Sequence, residues 1–208
     1  MTNSPMIEMK SKRNRVWLNT EDNCIYKRIL PAPDRPRPAA AANQEAAVLR
    51  ELYQSGVPVP RVFSCENGVL KMEYIRGLTL TEMIERADTG PAAFTAEDLT
   101  GMILGWFEKF YAAVPADRRR GDVNGRNFIA AENRRLLSVD FEQLPLAPRE
   151  QDIGQMAAYI LTYDPPYTPF KMHFAEKLLA GFVEKFNLND EKAKLYREKE
   201  LNAIRGRR

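Results

Sequence analysis

Between residues 121 and 142 the chain carries Gly121-Asp-Val-Asn-Gly-Arg-Asn-Phe-Ile-Ala and, a little later, Leu136-Leu-Ser-Val-Asp-Phe-Glu. Asp122 and Asn127 stand five residues apart, and Asp140 follows thirteen further on. A polar loop here runs into the apolar pair Phe128-Ile129, turns at Glu132-Asn133 and returns as Leu136-Leu-Ser-Val. That pattern predicts a hairpin bringing Asp140 back beside Asn127, so that two carboxylates and a carboxamide converge on one loop. All three are hard oxygen donors of the kind Mg²⁺ prefers, with no thiolate or imidazole beside them to suggest zinc. A single histidine, His173, argues against multi-histidine metal sites and histidine-based triads.

The elements that must position this loop are legible on either side of it. Short strands are predicted at Met6–Met9, Arg15–Leu18 and Cys24–Leu30, with turns at Ser11–Asn14 and Asn19–Asn23. Pro31-Ala-Pro-Asp-Arg-Pro-Arg-Pro38 reads as a basic loop that breaks regular structure. A helix follows over Ala39–Ser55, ended by Gly56 and kept from continuing by Pro58 and Pro60. Asn67-Gly68 between two apolar runs predicts a hairpin. Beyond Arg76-Gly77 the pattern is mostly helical, at about 80–87, 95–113, 152–163, 170–187 and 190–204. Strands first and helices later predict an α+β chain of two lobes, 1–75 and 76–208, hinged near 73–77.

At this point the sequence resembles the protein-kinase-like superfamily. Gly121-Asp122-x-x-x-x-Asn127 is similar to its catalytic loop, and Asp140-Phe141-Glu142 to its magnesium-binding element. The D-F-E form and the Asp152-Ile-Gly-Gln-Met-Ala-Ala-Tyr-Ile-Leu segment most resemble the aminoglycoside/choline phosphotransferase branch. The resemblance runs from about residue 14 to 165 and implies a bilobal fold with a small antiparallel-sheet lobe carrying one helix. It implies transfer of the γ-phosphate of Mg²⁺-bound ATP to a hydroxyl of a small molecule. By the same resemblance Asp122 accepts the acceptor's proton, Asn127 and Asp140 hold Mg²⁺, and Lys27 binds the α/β-phosphates with Glu45 fixing its direction. The backbones of Glu73 and Ile75 would bind adenine, and Arg126 would reach the transferred phosphoryl group.

Two departures stand out. Arg120 occupies the place where the family usually has histidine, and the first turn, Ser11-Lys12-Arg13-Asn14, has no glycine to let backbone amides approach phosphate. They keep open a pseudokinase-like binding module without turnover. A RIO/Bud32-type protein kinase or ATPase is the other alternative, suggested by the basic C-terminal end, although the D-L-T-T-S-N loop of that group is absent.

Plainer readings compete at several residues. Arg28 is one step out of register with Lys27, and a one-residue slip reverses the strand's face. Glu51 competes with Glu45. Asp152 reads as an acceptor for catalytic-loop amides, and Trp106, Phe107 and Phe110 as core. Tyr163-Asp-Pro-Pro-Tyr-Thr-Pro169 reads as a rigid inter-helix loop, with a lid over the acceptor as the alternative. Arg118-Arg-Arg120 reads as a solvated face, or as a hint of an anionic acceptor. A net charge of +3 in 208 residues does not mark a nucleic-acid binder, and two cysteines do not make a disulfide scaffold. With no apolar leader and no long apolar run, the expectation is a cytoplasmic protein without a membrane partner.

Overall fold

A computed structural model describes residues 5–11, 13–33, 36–90, 94–142 and 144–207; Lys12, of the glycine-free turn, lies outside them. The chain divides into two units: Met1–Arg76 with Val139–Gln143, and Gly77–Ser138 with Leu144–Arg208.

The first unit is built on strands β1 (Met6–Met9), β2 (Asn14–Asn19), β3 (Cys24–Ile29), β4 (Val62–Glu66) and β5 (Val69–Glu73), with helix α1 (Pro38–Gln54). They form one antiparallel sheet in the order β1-β2-β3-β5-β4. Pro38 does not end the irregular stretch as a breaker but opens α1, because a proline in the first turn forfeits only an amide that has no helical partner. Ala42, Glu45, Ala46, Leu49 and Leu52 are the buried face of this helix. At its end Gly56 takes a left-handed φ of 78°. Its N–H donates to the Tyr53 carbonyl (3.1 Å) and the Val57 N–H to that of Leu52 (3.0 Å), a two-bond C-terminal cap. Asn67 and Gly68 both have positive φ, 51° and 75°, as a two-residue turn between twisted strands requires.

The second unit begins with a three-residue strand, β6 (Gly77–Thr79), in what the sequence suggested was already helical chain. It pairs with β7 (Phe128–Ala131), which pairs with β8 (Leu136–Ser138). Around this small sheet lie α2 (Leu80–Thr89), α3 (Ala96–Ala113), α4 (Glu150–Thr162), α5 (Pro169–Phe186) and α6 (Asp190–Gly206). Thr95 and Asp98 cap α3 reciprocally, each side chain taking the other's backbone N–H. The core is aromatic. Trp106 stacks on Phe110 at 5.1 Å and meets Phe128 edge-on at 5.2 Å, while Phe107 meets Phe182 of α5 at 4.9 Å. Among the described residues no helix is long and apolar enough to cross a membrane, and Cys24 and Cys65 are both free thiols.

Candidate active site

In the first unit the strand alternation of β3 settles the register question. Arg28 is exposed, whereas Lys27 is buried at 5% exposure beside Glu45, which is 1% exposed; Glu51 is exposed. Lys27 Nζ donates to both carboxylate oxygens of Glu45 at 2.8 Å and to Asp140 Oδ1 at 2.5 Å. Burial alone would lower the lysine's pKa, but the carboxylates of Glu45 and Asp140 outweigh it and hold the amine charged, above the ordinary lysine value. Burial likewise pushes the Glu45 carboxyl up, with the Lys27 cation working against it.

Asp140 reaches this cluster because Val139–Gln143 groups with the first unit, apart from the chain on either side of it. Its φ of 67° is left-handed, a conformation aspartate tolerates better than most residues and one that recurs at functional turns. Glu142 Oε1 accepts from Asn14 Nδ2 (3.4 Å), and Asn14 Oδ1 accepts the Leu30 N–H (3.4 Å). Asn14, at the end of the glycine-free turn, therefore braces the start of β2, a role that no local pattern in the sequence marks.

At the end of β5 the Glu73 N–H donates to the Arg61 carbonyl (2.9 Å), while Glu73 Oε2 accepts the Arg61 N–H (3.1 Å). The Glu73 amide is thus engaged within the protein.

The second unit holds the Gly121–Asn127 loop. Asp152 is fully buried at the start of α4, and its carboxylate accepts the backbone N–H groups of Arg120 (2.8 Å) and Gly121 (3.0 Å), Arg119 Nη1 (3.1 Å) and the Tyr111 hydroxyl (3.0 Å). This fixes the entry to the loop. Asp122 is exposed, with Oδ1 accepting the Asn124 N–H at 3.2 Å. Asn127 Nδ2 donates to the Asp122 carbonyl (3.4 Å), a bond that uses the amide's donor and not its acceptor oxygen. Arg126 is exposed in the 3₁₀ turn Gly125–Asn127. Asp122, Arg126 and Asn127 therefore share one loop of the second unit, whereas Lys27, Glu45 and Asp140 share one cluster of the first.

The arginine run is not a solvated face. Arg118 Nη1 donates to the Leu144 carbonyl (2.7 Å), and Arg119 to Asp152, the Gly121 carbonyl and Gln155. Arg120, 1% exposed, donates through Nε and Nη2 to Ser138 Oγ at 3.2 and 3.1 Å, with its guanidinium 5.7 Å from the Phe128 ring. Ser138 Oγ in turn donates to the Asn127 carbonyl (3.0 Å). The residue in the histidine's place thus supports the loop from within.

A family model described as the phosphotransferase enzyme family matches residues 10–169. The chain belongs to this phosphotransferase family. Among curated proteins it is 29% identical over 109 residues to the EKC/KEOPS complex subunit BUD32 of Encephalitozoon cuniculi, covering 52% of this chain and 50% of that protein. The chain thus spans about half the length of the curated relative it matches. Among solved structures, the Rio2 kinase of Chaetomium thermophilum, in an ADP/Mg²⁺-phosphoaspartate complex, matches with a TM-score of 0.55 at 13% identity. That match covers 97% of this chain and 71% of the other. The expected relationship to the protein-kinase-like superfamily and the α+β fold, an antiparallel-sheet region followed by a mostly helical one, are both borne out.

Proposed function

We propose that this phosphotransferase moves the γ-phosphoryl group of Mg²⁺-bound ATP to a hydroxyl of a small-molecule acceptor. The observation that carries the reading is the buried Lys27 amine, kept charged by two carboxylates. A lysine taken out of water and held cationic in this way is suited to phosphate oxygens. The oxygen donors of Asp140 and Asn127 suit Mg²⁺, which when bound neutralises phosphate charge. Glu45 orients Lys27. Asp122, exposed on a loop fixed by Asp152, accepts the proton of the attacking hydroxyl as the new P–O bond forms and the bond to ADP breaks. The Glu73 carbonyl and the Ile75 backbone hold the base, and Arg126 contacts the phosphoryl group. Since the guanidinium groups of Arg118, Arg119 and Arg120 are engaged within the protein, an anionic acceptor would rely on Arg126 instead.

A second reading, a protein-directed kinase or ATPase, draws support from the likeness to BUD32 and to Rio2 kinase. A binding module without turnover loses one of its two supports, because Arg120 does hold the loop.

Thermal melting with and without Mg²⁺ and ATP tests the nucleotide site. Ligand at ~100 times its dissociation constant stabilises by about 2.7 kcal/mol, or several degrees. A shift that requires Mg²⁺ and disappears in Asp140→Asn is the expected result; no shift at millimolar ATP would overturn the reading. Acceptors are then separated by a panel of sugars, aminoglycosides, choline and proteins, alongside a search for acid-stable or acid-labile phosphoprotein. Asp122→Asn should lower kcat by about 10²–10⁴-fold and leave melting nearly unchanged, since its side chain is exposed.

A further inference from the structure

The 3₁₀ turn that carries Asn127 does not satisfy itself. The Gly125 N–H, in a buried residue, donates to the phenolic oxygen of Tyr163, the residue that caps the far end of α4 (2.8 Å). The Tyr163 hydroxyl in turn donates to Asn124 Oδ1 (3.4 Å), which also accepts the Arg126 N–H (3.1 Å). The Asn124 carbonyl accepts the Asn127 N–H (2.9 Å), so the phenol holds the residue whose carbonyl closes the turn, through its side chain, and the amide of the next. Burial raises the pKa of this phenol, which keeps its proton. A Cβ at Gly125 would lie 3.0 Å from the Tyr163 oxygen and 2.9 Å from Thr81 Oγ1, so a larger residue there would displace the phenol's contacts.

Tyr163 is itself anchored by a lysine that is only 1% exposed. Lys171 Nζ donates to the carbonyls of Tyr163 (3.3 Å) and Pro165 (2.6 Å) and pairs with Asp88 Oδ2 (3.0 Å). Three acceptors meet the three protons of the ammonium group. Thr168 Oγ1 donates to the other oxygen of Asp88 (2.6 Å), tying the loop between α4 and α5 to the end of α2. A buried charge so completely paired makes this loop a fixed brace and not a lid.

Resting on the phosphotransferase reading, we propose that Tyr163 is a positioning residue: its phenol, anchored through Lys171 and Asp88, sets the Gly125–Asn127 turn and thereby the metal-binding carboxamide of Asn127. It touches neither nucleotide nor acceptor. Its effect is felt through metal affinity, not through nucleotide affinity.

The test compares wild type with Tyr163→Phe by hydrogen exchange at the Gly125 amide and by titrating Mn²⁺ in the presence of ADP, read by electron paramagnetic resonance. Losing the phenolic acceptor should speed exchange at Gly125 about tenfold. Mn²⁺ affinity should fall by roughly 10-fold or more, as when an outer-shell partner of a metal ligand is removed, while metal-free ADP binding stays within about twofold by the same reasoning. Gly125→Ala, which crowds the same oxygen, should reproduce both shifts. Phe182→Leu, a core change in α5, should lower the melting temperature and move neither. Unchanged exchange in Tyr163→Phe overturns the proposal, and so does faster exchange with unchanged Mn²⁺ affinity. If wild type binds no Mn²⁺ with ADP, the phosphotransferase reading and the link to Asn127 fall together. Exchange at Gly125 then still decides whether Tyr163 braces the turn.

Discussion

Replacing Lys27 by methionine keeps much of the side chain's length and removes its charge, which leaves Glu45 buried without its cation. Breaking a buried pair from one side costs about 3–5 kcal/mol. In the variant the Glu45 carboxyl, already pushed up by burial, loses the group that opposed that push. A carboxyl whose folded pKa exceeds its unfolded value costs nothing while both states are protonated, and destabilises once pH rises past that value. Lys27→Met should therefore be most stable below the ordinary glutamate value of 4.5 and lose ground towards neutrality, as chemical denaturation across pH will show. Wild type should show a smaller decline, because the Lys27 cation opposes the upward push on Glu45, and the contribution of Lys27 is itself fully present below the ordinary lysine value of 10.5 and is lost only as pH rises past it. The double variant Lys27→Met/Glu45→Met should recover stability and remain inactive, which separates packing from chemistry. The partners in this cluster were legible in sequence only through their resemblance to a family. Strand periodicity alone could not choose Lys27 over Arg28, and nothing local ties residue 140 to residue 27. Tyr163 was legible only as the start of a rigid, proline-rich loop, and Lys171 and Asp88 carried no signal at all. Their roles arise from pairings across long stretches of chain, and a lysine in a helix reads by default as solvated.

At the level of elements, what the sequence disclosed follows the strength of local signals. The Asn67-Gly68 turn, the Gly56 helix stop and the Thr95/Asp98 start rest on backbone chemistry that a few residues determine. Strand β6 was missed because three residues carry no periodicity. Its glycine is explained only by the partner strand, since a Cβ on Gly77 would fall 2.0 Å from the Ala130 carbonyl oxygen. The cap of α3 makes a prediction with a definite sign. The Thr95 backbone N–H and hydroxyl hold the Asp98 carboxyl below its ordinary value of 3.8. Its stabilising effect is present above that value and is lost as pH falls below it. Asp98→Asn should therefore melt below wild type at pH 7, and the two melting temperatures should draw together as the solution is taken to pH 2–3, roughly one unit or more beneath the ordinary value.

Across the whole molecule, each unit contains one of the chain's two tryptophans, Trp17 on β2 and Trp106 in the aromatic core of α3. Trp17→Phe leaves emission from Trp106 alone, and the difference from wild type reports Trp17. In urea the Trp17 signal should change at lower concentration and with a shallower slope, because the first unit is the shorter and buries less surface. Coincident transitions would show that the units unfold as one. The assignment of Val139–Gln143 to the first unit has a further consequence, for the order of events during synthesis. A ribosome delivers Lys27 and Glu45 early, but Asp140 emerges only after β6, α2, α3, β7 and β8 have been made. Until then the nascent lysine has one of its two carboxylates, and the first unit waits on sixty-two residues of the second for its last segment. The polypeptide passes from one unit to the other three times, so no single proteolytic cut or gene truncation separates them intact.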